Sequence, residues 1–199
     1  MVTRLLNAAN EEHVRAAAEL LRAGELVAFP TETVYGLGAR ADDEAAMRAL
    51  REVKRRPPEK QFTLLLAHPR DWRSHVAAPD PTADTLTEAF WPGPLTLVLP
   101  ARQGGEVGLR CPDCAVARRM LELAGVPVAA PSANVSGEAP ARSADEVLRA
   151  FDGRIAAVLD GGVATVGVPS TVLRVGPGGV EFLREGAASR AEIEAVVRS

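Results

Sequence analysis

Short apolar runs of strand length alternate along this chain with segments whose apolar residues recur at helical spacing, and that alternation limits the fold more than any motif does. Residues 26–29, 62–67, 95–99, 107–110, 127–130 and 155–159 are largely apolar runs bounded by Gly, Pro or polar positions, as strands are. Helices are predicted over 10–23, from Asp42 or Asp43 to Lys54, and over 69–76, 81–90, 114–124, 143–151 and 189–198. Asn10 is a good N-cap for the first and Gly24 a stop. Ser143 with Glu146 three residues on reads as a capping box. Residues 171–175 and 180–183 flank Gly176-Pro-Gly-Gly179, the pattern of a hairpin. Helical crossovers and a hairpin together imply an α/β protein with a twisted mixed sheet and flanking helices. Residues 30–38 read as a loop. With no linker, repeat or low-complexity segment, one domain over 1–199 is expected.

One stretch stands out within that frame. Lys54-Arg55-Arg56-Pro57-Pro58-Glu59-Lys60 puts four cations in seven residues of a chain whose net charge is -3, and it holds both lysines of the protein. A lysine ammonium is a compact point charge suited to phosphate oxygens or carboxylates, whereas arginine is a planar fork. The two prolines end the preceding helix and stiffen the loop that leaves it. Cations at a helix C-terminus also favour the helix dipole, so the cluster has an ordinary structural explanation beside the functional one. Lys54 and Asn134 are both expected on polar loops rather than in the core.

Composition excludes several classes. A pI near 5.7 does not suit a general nucleic-acid binder. Residues 1–10 lack the apolar core of a signal peptide, and no apolar run approaches a membrane span, so a soluble cytoplasmic protein is expected. Cys111 and Cys114 form a C-x-x-C before a helix, compatible with a redox pair but read here as incidental, with no further Cys for a zinc site. Gly36-Leu-Gly38 lies too far beyond its strand for a dinucleotide fingerprint, and the loop from Gly161 to Ser170 has no Gly-Lys-Ser/Thr. No G-x-S-x-G is present, and His13 and His75 sit in helical patterns.

Polar loops after strands carry the chemistry. Thr31, Glu32 and Thr33 follow one strand, Ser132 and Asn134 another, and Ser170 and Thr171 follow the glycine-rich loop. Hydroxyls and an amide at strand ends orient a ligand, and with Lys54 and Arg56 they would form a pocket for phosphate and carboxylate.

Five blocks, taken in order, resemble the YrdC family of threonylcarbamoyl-AMP synthases: Pro30-Thr-Glu-Thr-Val-Tyr-Gly-Leu-Gly38, Lys54-x-Arg56-Pro57, Trp91-Pro-Gly-Pro-Leu-Thr96, Ser132-Ala-Asn134-x-Ser-Gly137 and Ser170-Thr-Val172. They cover residues 10 to 186, and the chain is similar to the family's short bacterial form. The resemblance implies a YrdC-like sheet around a concave cationic cavity. The implied reaction converts L-threonine, bicarbonate or CO2, and ATP with Mg2+ into threonylcarbamoyl-AMP and pyrophosphate. The product would pass to a separate threonylcarbamoyl transferase complex that modifies tRNA, with weak tRNA contact and no membrane. Carried over by position, Lys54, Arg56, Ser132 and Asn134 match the catalytic tetrad. Thr31 and Arg56 match threonine-binding positions. Lys54, Arg110, Ser132, Asn134, Arg142, Ser170, Thr171 and Arg184 match ATP-binding ones, and no protein metal ligand is implied. Pro131 departs from the Thr or Ser found in many members. A paralogue acting on another amine and an RNA-binding module are the rival readings; the single tyrosine, Tyr35, leaves the second little surface for base stacking.

Overall fold

In the computed structural model, which describes residues 2–57 and 60–198, ten strands form one mixed sheet in the order β1-β8-β2-β3-β7-β4-β6-β5-β9-β10. The strands are β1 Arg4–Asn7, β2 Val27–Phe29, β3 Gly36–Arg40, β4 Thr63–Leu65, β5 Leu95–Pro100, β6 Glu106–Arg110, β7 Val128–Ala129, β8 Ala157–Asp160, β9 Thr171–Gly176 and β10 Gly179–Arg184. The helices are α1 Glu11–Arg22, α2 Glu44–Lys54, α3 Pro81–Phe90, α4 Ala115–Ala124, α5 Ala144–Phe151 and α6 Arg190–Val197. β1, β8 and β2 run parallel; β9 and β10 make the expected antiparallel hairpin.

Side-chain parity decides which face each half of the sheet buries. Val27 and Phe29 of β2, with Ala157 and Leu159 of β8, pack under α1 and α4. Ala28, Val158, Leu37 and Ala39 point the other way, under α2 and α5. This half is therefore covered on both faces. In the other half Leu95, Leu97 and Leu99 of β5, Leu109 of β6 and Leu173 and Val175 of β9 meet α3 and α6. Each such leucine contributes about 1.5–3 kcal/mol by leaving water. The alternate residues Thr63, Thr96, Val98, Gly108, Arg110 and Val172 line an open concavity instead. The uncovered face is what places a cavity here.

The helices obey their caps. Asn10 accepts a hydrogen bond from Glu12 N, and Asp43 from Ala45 N and Ala46 N. Ser143 caps α5, but the Glu146 carboxylate accepts from Arg142 N, one residue before the position a capping box requires. The reciprocal box is found at Ser189 and Glu192.

Three sequence expectations are corrected. Residues 69–76 form only a 3-10 turn, Pro69–Ser74, with no side-chain cap to sustain a longer helix. Residues 30–38 are not all loop, since β3 begins at Gly36. A Cβ at Gly38 would stand 2.8 Å from the Phe29 ring, so glycine is there for close strand packing, which disguises the strand. Lys54 is not on a polar loop: it is the last residue of α2 and 1% exposed. Arg55 then turns the chain in the left-handed region at φ 50. Pro58 and Glu59 of the basic stretch lie outside the described residues. Among the described residues no helix is long and apolar enough to cross a membrane.

Candidate functional site

The cavity on the open face is lined by Arg56, Arg110 and Arg184, by the hydroxyl residues Thr63, Thr96, Ser132 and Ser170, and by apolar side chains including Val34, Phe62 and Val172. No carboxylate is among its described lining residues. Its volume is about 230 Å3, and four concavities elsewhere are larger, about 420 to 630 Å3, but each of those has a carboxylate in its lining. Chemistry rather than size marks the site.

Each arginine reaches the cavity by a different device. Arg110 ends β6, and its guanidinium is fixed by Gly93 O at 3.1 Å, Thr33 Oγ1 at 2.9 Å and Glu32 Oε1 at 2.6 Å. The Arg110–Glu32 pair is buried, with side chains 8% and 10% exposed. The second carboxylate oxygen, Glu32 Oε2, is buried without a hydrogen-bond partner among the described residues. Arg184 arrives through a β-bulge. β10 pairs regularly as far as Phe182 with Leu173, after which Arg184 rather than Leu183 faces Val172. In a regular ladder Leu183 would face Val172 and Arg184 would share the covered face with Phe182; the bulge turns Arg184 to the open face beside Val172. There it donates to Ser170 O at 2.8 Å and Ser170 Oγ at 3.2 Å, and Ser170 Oγ lies 2.9 Å from Thr96 Oγ1. Arg56 follows α2, donates to Gln61 O at 2.6 Å and stands 4.9 Å from the centre of the Phe62 ring.

Neither Arg56 nor Arg184 has a carboxylate partner among the described residues. Burial pulls both guanidinium pKa values down, with neighbouring Arg51 and Arg184 adding to the effect on Arg56, and Arg110 to that on Arg184. Two desolvated cations with a third paired one beside them make a strongly anion-seeking surface.

The other residues singled out from the sequence lie around this cavity rather than on it. Lys54 Nζ donates to Ser132 O at 2.5 Å and Asn134 O at 2.6 Å. Asn134 bonds within its own loop, accepting from Ser132 Oγ at 2.6 Å and donating to Val135 O and Glu138 O. Thr31 is buried, with its hydroxyl on Val34 O and beside Thr33 Oγ1. Thr171 is fully buried and donates to Ala188 O while accepting from Gly186 N. Arg142 lines a separate groove with Asn134 and Glu146, its guanidinium against Gly167. Of the residues carried over by position, the structure therefore brings Arg56, Arg110, Ser132, Ser170 and Arg184 together in one lining.

Thr63, Thr96 and Gly108 form the floor and were not singled out from the sequence. Their signal was alternation opposite a leucine run, readable once the covered face is known. Cys111 is buried, with its thiol pushed up to about 12 by desolvation, and Cys114 is raised for the same reason, so neither favours a thiolate. Tyr35 is buried too: its hydroxyl donates to Gly162 O at 2.7 Å and accepts from Gly161 N at 3.2 Å, and its ring offers no stacking surface.

Comparison with known proteins gives a consistent picture. The family model Sua5/YciO/YrdC, described as telomere recombination, matches residues 19–186. A Bacillus subtilis protein named threonylcarbamoyl-AMP synthase is 39% identical over 198 residues, 94% of this chain and 57% of that protein. A Vibrio cholerae protein of the same name is 35% identical over 161 residues, 75% of this chain and 86% of that protein. The structure of Pyrococcus abyssi Sua5 complexed with L-threonine superposes with a TM-score of 0.92 at 38% identity, covering 98% of this chain and 61% of that one. The chain thus spans less than two thirds of the Bacillus and Pyrococcus proteins.

Proposed function

Since the chain belongs to the Sua5/YciO/YrdC family, we propose that it acts as a threonylcarbamoyl-AMP synthase, joining L-threonine, bicarbonate or CO2, and ATP with release of pyrophosphate. The single observation that carries this reading is a cavity whose described lining holds three arginines and four hydroxyl residues and no carboxylate. Such a surface suits a triphosphate and an amino-acid carboxylate together. The names of the Bacillus and Vibrio relatives support the reaction, and the L-threonine complex of Pyrococcus Sua5 supports the amino acid.

In this scheme the threonine nitrogen bonds to the carbon of CO2, giving a carbamate and releasing a proton. A carbamate oxygen then attacks the α-phosphorus, the bond to the β-phosphate oxygen breaks, and pyrophosphate leaves. Arg56 binds the threonine carboxylate as a fork. Arg184 and Arg110 neutralise the phosphates, with Ser132 and Ser170 orienting their oxygens. Displacement of this kind is accelerated by positioning and charge neutralisation, which such a cavity supplies without a side-chain base. Mg2+ enters with ATP as part of the substrate. The described lining has no carboxylate to offer it, so the ion keeps water and phosphate ligands. The product would pass, in the cytoplasm, to a transferase complex acting on tRNA.

The test is pyrophosphate release from ATP and bicarbonate, with and without L-threonine. Threonine-dependent release that fails with serine at equal concentration and is lost in Arg56→Ala is expected. Release indifferent to threonine would point to a family member acting on another amine.

A further inference from the structure

We infer that Lys54 is a positioning residue that holds the 132–136 loop by its backbone and does not itself touch the bound anion. Its ammonium is buried at the end of α2 and bonds two carbonyls of one loop, those of Ser132 and Asn134. The backbone of the same residue grips the loop a second time, since Lys54 O accepts from Ser136 N at 2.9 Å. Lys54 is absent from the described lining of the arginine cavity, whereas Ser132 is part of it. The path from lysine to ligand therefore runs through the loop.

The chemistry of the loop fits this role. Two carbonyl oxygens turned toward one point form a notch of partial negative charge, which a cation fills and a phosphate would avoid. A slim ammonium with three donors fits between them, where a planar guanidinium would not. That accounts for a buried lysine in a chain whose other cations are, apart from Lys60, all arginine. With the carbonyls tied down, Ser132 Oγ donates to Asn134 Oδ1, and the Asn134 amide closes the turn on Val135 O and Glu138 O. Ser132 is also bridged to Gly36 of β3, so the loop is seated from both sides. Burial draws the Lys54 pKa down to about 8, and a neutral amine would still have two N–H donors for two carbonyls. The strut needs donors, whereas neutralising a phosphate would need charge.

The inference rests on the proposed reaction only where activity is the readout, so the first measurement avoids it. Because the chain has only two lysines, reductive methylation of the wild-type protein without nucleotide reports each separately by mass spectrometry. Exposed Lys60 should react at once and Lys54 at least about tenfold more slowly, limited by local opening. Equal rates would overturn the inference whatever the protein catalyses. The second measurement is a double-mutant cycle between Lys54→Met and Ser132→Ala, read as ATP affinity and as threonine-dependent pyrophosphate release. If the lysine acts through Ser132, the double variant should be no worse than the worse single one, within about twofold; multiplying losses would mean separate contacts and sink the idea. Lys54→Gln keeps two donors without charge and should recover part of what Lys54→Met loses. A Gln variant as impaired as Met, with both still folded, would favour direct neutralisation of phosphate. If Lys54→Met fails to fold, the methylation result decides alone. If the wild type releases no pyrophosphate, the proposed reaction falls while the methylation result and ATP affinity still judge the lysine.

Discussion

Lys54 and Glu32 are the two buried charges on which the site most depends, and each has a consequence that can be measured. The lysine pKa falls from 10.5 in the open chain to about 8 in the fold, because burial penalises the ammonium. Between those values the unfolded chain holds more protons than the folded one, so stability rises as pH increases through that window. Chemical denaturation at pH 7.5 and pH 9.5 should show the wild type gaining stability relative to Lys54→Met; an equal response in both proteins would contradict the buried ammonium. Glu32 neutralises Arg110 behind the cavity wall, and Arg184 is close enough to repel it. Glu32→Gln leaves that guanidinium buried without its counter-charge and should cost about 3 kcal/mol in urea denaturation. A loss below about 1 kcal/mol would mean that the pair is solvated in solution. The polar residues of the site were legible as a group, because hydroxyls and cations gathered at strand ends. Their division of labour was not: Thr171 spends its hydroxyl on Ala188 O while Ser170 meets Thr96 and faces the cavity, and both pairings are distant in sequence.

Elements were legible in proportion to how far their pattern departs from glycine. The amphipathic helices and the leucine-rich strands followed their periodicity, whereas β3, written Gly-Leu-Gly-Ala-Arg, hid because it gives up side chains to let the Phe29 ring pack against it. β1 was missed as well, being four residues long with a single buried position, Leu6. The bulge in β10 could not be read at all, since parity alone sends Arg184 to the covered face. Exchanging the two residues, Leu183→Arg with Arg184→Leu, would move the guanidinium to the extra position of the bulge, where Leu183 is 42% exposed, and away from its place beside Val172. The expected result is at least a tenfold loss of ATP affinity, measured by calorimetry, in a protein that keeps its sheet by circular dichroism. Unchanged affinity would show that the bulge does not aim Arg184. A contrasting pair tests the turn beneath it. A Cβ at Gly186 would lie 2.3 Å from Pro169 O, while one at Gly178 would meet nothing within 4 Å. Gly186→Ala should therefore destabilise by about 2–3 kcal/mol and Gly178→Ala by under about 1 kcal/mol.

Across the whole molecule the charge is -3, yet the open sheet face concentrates cations without lining carboxylates among the described residues. An acidic protein of this kind should still bind anions in one place. Pyrophosphate should raise the melting temperature through linkage, by the equivalent of about 2.7 kcal/mol at a hundredfold excess over its dissociation constant. Arg184→Ala should reduce that gain, and equal stabilisation of both proteins would locate the anion elsewhere. The sheet also imposes an order on biosynthesis. Among the described residues β1 pairs with a single strand, β8, and Thr3 Oγ1 donates to Ile155 O across 152 residues of chain. At roughly 5–20 residues per second a ribosome needs about 8–30 s to make the chain between them. For that interval β1 has no strand partner, and the sheet edge it will occupy does not exist. A nascent chain stalled before residue 155 would hold helices and strands enough to collapse, but β1 would still be waiting, open to any chaperone that reads unpaired strands.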